Sequence, residues 1–419
     1  MQHRSSRASS LVGLAMLALT ASGAAQVQPL ALSEPVHHLD TLAREPMVVQ
    51  HPNGTLFVSG YGSQVTGVDP EVPPNLWSSG DGGATWKRVD VGTTADGAAG
   101  NSDVDLAVGP DGTLYFVTMG FDRSVSEGTH IAVGVSHDAG ASWSWTRLSE
   151  TRFDDRPWVE VAPDGAVHVI WNDDKGVSHA VSGDRGRTWG ERARIHHQGG
   201  SSHLAVGPAG EVAVRISPIA ASANRFAEGV DLVVVSTDGG STWKKHQAPG
   251  VRVWDQTFSD PDLIPRWVEP LAWDSGGALY YLWSEGTQVR LARSVDQGST
   301  WATWTVSEEA APAYFPYLVA RGARELAATW FSGSGDDLAA HLVRIEVPEA
   351  ADTPLDIERS EPFELDAWLE VDQDAPARTP AGEYIPVLFL ADGRLAVVTP
   401  IQDIVKDRWG FSWWATERP

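Results

Sequence analysis

The sequence predicts an all-β protein folded as a β-propeller, with seven blades and six as the alternative count. Three observations carry this expectation: an octapeptide that recurs five times, an apolar hairpin pattern that recurs around it, and a turn-rich composition with no long helical periodicity. With 41 Gly, 26 Pro and 19 Trp in 419 residues, the chain can turn often and pack small sheets through large rings. That length does not demand a second domain, because each propeller blade adds its own sheet.

The octapeptide reads Ser-x-Asp-x-Gly-x-Thr/Ser-Trp. Its copies stand at 79–86 (SGDGGATW), 136–143 (SHDAGASW), 182–189 (SGDRGRTW), 236–243 (STDGGSTW) and 294–301 (SVDQGSTW). Their aspartates, Asp81, Asp138, Asp184, Asp238 and Asp296, lie 57, 46, 54 and 58 residues apart, about the length of one four-stranded blade. In such a turn the carboxylate accepts nearby backbone N–H groups, the glycine permits a left-handed step, and the tryptophan packs into the sheet. The boxes therefore punctuate the fold and do not carry chemistry.

A second repeat raises the blade count to seven. An apolar strand, a Gly-containing turn and a second strand recur at 46–59 (PMVVQHPNGTLFVS), 104–118 (VDLAVGPDGTLYFVT) and 157–171 (PWVEVAPDGAVHVIW), with weaker copies at 202–216, 267–283, 316–330 and 385–399. Pro-Asn-Gly and Pro-Asp-Gly are tight-turn sequences, so each repeat is expected to form the first two strands of a blade, with the box between the third and fourth. Closure is expected from 35–39, supplying the outer strand of the last blade beside 410–415. The acidic excursion 348–381 is expected to hold the sixth blade's outer strand at 363–369.

Residues 1–25 carry Arg4 and Arg7, an apolar stretch from Leu11 to Leu19 and a small-residue run ending at Ala25. This is the order of a cleavable secretory signal, and its apolar core is too short for a permanent membrane anchor. A secreted or periplasmic protein without membrane insertion is expected. The absence of Cys excludes disulfides and lipid attachment through a cysteine. Removing the signal takes the formal charge from −24 to −26, which argues against nucleic acid and anionic membranes as partners.

Alternating strand direction places the boxes and the first hairpin turns on one rim. Ligands are expected at the channel mouth on the opposite rim. There the first strands begin near Arg44 and Glu45, Asp103, Asp154, Asp155 and Arg156, His203, Arg266 and Glu269, Tyr314 and Tyr317, and Glu383 and Tyr384. The turns after the second strands add Tyr61, Asn172, Asp173, Asp174 and Glu285.

Boxes and blade pattern together resemble the bacterial neuraminidase repeat proteins of the sialidase superfamily, from about Leu42 to the C-terminus. The resemblance implies a sialidase-like propeller and an exo-glycosidase of exo-α-sialidase type, acting on terminal acidic sugars. Such enzymes clamp a sugar carboxylate with three Arg, attack with a Tyr assisted by Glu, and use an Asp as acid/base. Guanidinium forks match a carboxylate, and a neutral Tyr attacks an anionic sugar better than another carboxylate would. Arg44 stands where the family has Arg-Ile-Pro, with Glu45 in the middle. Arg156 (DDRPW) and Arg266 (IPRW) would complete the clamp, Asp155 stands beside Arg156, Glu269 lies near Arg266, and Tyr314, Tyr317 or Tyr384 would be the nucleophile.

The competing reading is a non-catalytic propeller binding glycans or protein partners, for which Trp158, Trp171, Trp267, Trp283 and Trp330, on or near inner strands, are the candidate platforms, with core packing as the expected use of most of them. Either way a glycan or glycoconjugate is the expected ligand and the chain is read as a monomer. No cofactor or metal is expected. A calcium ion at Asp103 and Asp105, or at Asp173 and Asp174, is a minor alternative because no complete ligand loop is visible.

Overall fold

The computed structural model describes residues 27–62, 69–197, 200–217, 219–220, 225–226, 229–250, 253–254, 269–333, 338–363, 368–369, 379–380, 382–383, 385–403 and 408–417. Seven antiparallel sheets carry the chain, and each of the expected hairpins forms the first two strands of one. The first strands are Arg44–Gln50, Val104–Val108, Asp155–Val161, Gly200–Val206, Leu271–Trp273, Ala313–Arg321 and Val387–Phe389. Each packs beside the first strand of the next blade, and the seventh packs beside the first. The result is a seven-bladed propeller with these strands lining the channel.

Both chain ends contribute to closure. Val36–Leu39 pairs antiparallel with Arg408–Ala415 as the outer strand of blade 7, as its position in the sequence suggests. Val27–Pro29 adds a parallel fifth strand to blade 6, beside Asp356–Arg359. The outer strand of blade 6 is thus Asp356–Arg359 and not 363–369. Ile357 is the apolar residue buried there, whereas Phe363 makes only an isolated bridge to Ala340 after Pro362.

The five boxes share one hydrogen-bond pattern. In the first, Ser79 Oγ donates to Asp81 Oδ1 at 2.8 Å and accepts from Gly83 N at 2.9 Å, while Thr85 N and Oγ1 donate to the carboxylate at 2.9 and 2.6 Å. The Thr85, Thr188 and Thr242 hydroxyls lead in holding Asp81, Asp184 and Asp238 down to about 2, so these aspartates stay ionised. The carboxylate thereby stabilises two successive left-handed residues, such as Arg185 and Gly186 at φ 64° and 76°.

The box glycine also faces the preceding blade. A Cβ on Gly83 would lie 2.2 Å from the Trp413 ring of blade 7, and one on Gly240 would lie 2.3 Å from His179 of blade 3. The box tryptophans follow: Trp86 meets Phe411 and Trp413 at 5.1 and 5.5 Å, and Trp243 meets His179 at 5.6 Å. Trp158, Trp171, Trp283 and Trp330 are buried between sheets, so these four are core and not ligand platforms. Trp267 lies outside the described residues.

Two neighbouring glycines separate these effects. Gly239→Ala, at φ 67° with nothing within 4 Å, is expected to cost only backbone strain, roughly 1–2 kcal/mol. Gly240→Ala adds the clash with His179 and is expected to cost roughly 2–5 kcal/mol in denaturant unfolding. Equal losses would show that the box does not set the seam between blades.

Candidate active site at the channel mouth

Three first strands begin with the same local device. Arg44-Glu45-Pro46, Asp155-Arg156-Pro157 and Tyr314-Phe315-Pro316 each carry one extra residue relative to the second strand, with the register shifting between Arg44 and Met47, Asp155 and Trp158, and Tyr314 and Tyr317. Proline has no N–H for the ladder and pushes its predecessor out of the helical region. Here the predecessors Glu45, Arg156 and Phe315 sit at φ 46°, 50° and 50°, a conformation that costs about 1–3 kcal/mol for a non-glycine residue. Bulges of this kind re-aim side chains at a rim. In blades 1 and 3 they bring Glu45 and Arg156 into one group.

That group is a cluster of carboxyls around two guanidiniums. Arg156 Nη1 lies 2.8 Å from Glu383 Oε2, and its Nε lies 3.7 Å from Asp155 Oδ2. Glu383 precedes blade 7, so this ion pair spans the mouth between blades that are not neighbours. Arg44 Nε lies 3.9 Å from Glu45 Oε1, and its guanidinium carbon is 5.8 Å from the centre of the Tyr61 ring. Gly382 is packed so closely that a Cβ there would lie 2.7 Å from Glu45 Cγ.

Four carboxyls compete for these cations. Burial, then the charges of Asp103 and Glu383, push Glu45 up to about 8 against the pull of Arg44 and Arg156. Burial, then Asp155, push Asp103 up to about 7 while Arg156 opposes. Burial likewise lifts Asp155, although 48% of its side chain remains open to the water of the mouth. Tyr61 is raised well above its ordinary value by burial and then by Glu45, which keeps its hydroxyl protonated. Near neutral pH Glu45 and Asp103 therefore both lie within their titration range, and each depends on the other's charge.

Of the residues singled out in the sequence, Arg44, Asp155 and Arg156 meet here. Glu269 does not: it is buried, and its Oε2 accepts from Arg215 Nη2 at 3.0 Å and from the Tyr281 hydroxyl, with Arg215 also paired to Asp231. Tyr314 donates its hydroxyl to Gly333 O at 3.1 Å and packs on Phe331. Tyr317 has its hydroxyl 3.8 Å from Met47 Sδ and its ring edge on His203. Arg266 and Tyr384 lie outside the described residues. The sequence reading named Glu45, Asp103, Glu383 and Tyr61 as rim residues but not as the centre of the site. Glu45 shares with Arg156 the place before a first-strand proline, and that shared place was the available signal.

The carboxylates considered for calcium are committed elsewhere. Asp105 accepts from Leu106 N and Val159 N, each at 2.8 Å, and Asp173 is held by Arg194 at 2.6 and 2.9 Å. Among the described residues no group of three or more His, Asp or Glu side chains is arranged to hold a metal ion.

No protein-family description matches the sequence, and no curated protein matches it. Among solved structures, the chain is similar to an α-L-arabinanase of Penicillium chrysogenum complexed with arabinobiose, at 14% identity over 94% of this chain and 98% of that one, with a TM-score of 0.48. It is similar to YCF48 from Cyanidioschyzon merolae at 11% identity over 92% and 98%, TM-score 0.49. A point variant of the NanB sialidase of Streptococcus pneumoniae aligns at 12% identity over 93% and 70%, TM-score 0.44. These likenesses concern the fold and not the chemistry.

The raised Glu45 carboxyl fixes a sign. Its folded value, about 8, lies above the usual 4.5, so between those pH values the folded protein keeps a proton that the unfolded chain releases. Its stabilising effect is full below about 4.5 and is lost as pH rises towards 8. Glu45→Gln should therefore match the wild type at pH 4 and exceed it by on the order of 1–3 kcal/mol at pH 9 in urea unfolding. A variant less stable at pH 9 would show Glu45 ionised and held by Arg44.

Proposed function

We propose that the protein is an exported glycoside hydrolase that cleaves a sugar at the channel mouth by carboxyl acid/base catalysis. The observation that carries this reading is the coexistence, in one cluster, of a buried carboxyl, Glu45, pushed to about 8, a half-buried one, Asp103, pushed to about 7, and a water-facing carboxyl at Asp155. Glycoside cleavage asks for such a division: one carboxylic acid protonates the departing oxygen, and a second carboxylate attacks the anomeric carbon or activates water. Glu45 is the proton donor and shares its proton with Asp103. Asp155 faces the substrate as the carboxylate. Arg156, anchored by Glu383, opposes the upward push of burial on Asp155 and orients it.

The acidic-sugar specificity implied by the box resemblance asks Arg44 and Arg156 to clamp a ligand carboxylate. Arg156 already holds Glu383 at 2.8 Å, and among the described residues the mouth carries more carboxyls than guanidiniums. A neutral sugar suits that balance better. A panel of aryl glycosides covering neutral hexosides, arabinosides and a sialoside tests the point. Turnover of a neutral glycoside is expected, with an alkaline limb between pH 7 and 8, and Glu45→Gln should lower kcat by roughly 100- to 10,000-fold. Turnover of the sialoside alone would restore the acidic-sugar reading. No turnover anywhere would leave the binding propeller.

A further inference from the structure

A cleft of about 420 Å³ opens beside the mouth on the same rim, between blades 1 and 2. Its volume falls within the roughly 300–1,000 Å³ usual for small-molecule sites. Tyr61 belongs to both places: it lines the cleft, and its hydroxyl is coupled electrostatically to Glu45, Arg44, Asp103 and Glu383. Gly60 and Gly100 also line it, and each packs too closely on its neighbour to carry a side chain, since a Cβ would come within 2.7 Å of Ala43 or 2.6 Å of Thr118.

Cleft and mouth differ in chemistry. Among the described residues no carboxylate lines the cleft, whereas the mouth is crowded with them. Pro73 and Pro74 supply an apolar wall, and Thr41, Asn75 and Arg88 supply hydroxyl, amide and guanidinium groups. Arg88 is braced by Asp40 at 3.3 Å and by Asn75. A sugar ring matches this lining, with a C–H face for the prolines and hydroxyls for the polar edge. A purely apolar ligand would leave the polar edge desolvated without partners.

We infer that the cleft holds the sugar unit on the leaving-group side of the scissile bond. The substrate is then an oligosaccharide or glycan chain and not a glycoside of a small alcohol. This inference rests on the glycosidase reading above, since a leaving-group side exists only where a bond is cut. Tyr61 would stand between the two units, its hydroxyl on the acid side.

Gly62 allows a direct test. It lines the cleft, and an added Cβ would make only ordinary contacts, 3.5 Å from Leu42 O and 3.6 Å from Thr41 Oγ1. Gly62→Phe should fill the cleft, with Gly62→Ala as the milder variant and unfolding temperature as the check on folding. Turnover of a glycosyl fluoride, whose single-atom leaving group needs no cleft, and of an oligosaccharide ending in the same sugar is measured for each. Gly62→Phe is expected to lower kcat/KM on the oligosaccharide roughly 10- to 100-fold, and to leave the glycosyl fluoride within about threefold. Equal loss on both substrates, or none on either, would overturn the cleft assignment while the glycosyl fluoride still reports hydrolysis. Wild-type protein inert towards both substrates would instead overturn the glycosidase reading, and the cleft assignment with it.

Discussion

The structure depends on the pairing of Val36–Leu39 with Arg408–Ala415, because a propeller blade cannot satisfy its edges alone. Closure is also what makes the site. Its side chains come from Arg44, Glu45, Tyr61, Asp103, Asp155, Arg156 and Glu383, so blades 1, 2 and 3 must meet the segment leading into blade 7. The Arg156–Glu383 pair and the contact of Gly382 with Glu45 exist only in the closed ring. Opening the seam would separate the carboxyls and let Glu45 and Asp103 return towards the ordinary carboxyl range.

Two costs are concentrated at the mouth. Glu45 and Arg156 hold left-handed backbone before proline, and among the described residues the carboxyls outnumber the guanidiniums beside them. The seams offset both, with box glycines and tryptophans locked into the preceding blade around the opposite rim. Rigid seams at one rim and strained, proton-sharing side chains at the other are a division of labour between scaffold and chemistry. By contrast, the buried Arg215, Asp231, Glu269 and Tyr281 network joins blades 4 and 5 with one guanidinium held between two carboxylates and closed off from water, which suits a structural role.

The fold was legible because box and hairpin are local signals repeated along the chain, and each repeat specifies its own turn. Blade 6 was less so. Asp356–Arg359 lacks alternating apolar residues, and the parallel Val27–Pro29 strand is set by a pairing across most of the chain. At the site, residue types placed Glu45, Asp103 and Glu383 on the right rim but gave more weight to arginines and tyrosines. What decides the site is which side chains the bulges before Pro46 and Pro157 turn inward, and which blades face each other across the channel. Neither is written in local sequence. Glu269 shows the converse: its neighbour in sequence suggested a clamp, and its neighbours in space are Arg215 and Tyr281.

The central claim is that the closed ring holds a carboxylic acid protonated at neutral pH. Titrating the side-chain carboxyl carbons by ¹³C NMR, with Glu45→Gln to assign the signal, measures this most directly. The account predicts that the Glu45 resonance titrates with a midpoint between pH 7 and 8, and that the Asp103 resonance shifts in concert. A Glu45 midpoint below about 5, in the ordinary range for glutamate, would contradict it.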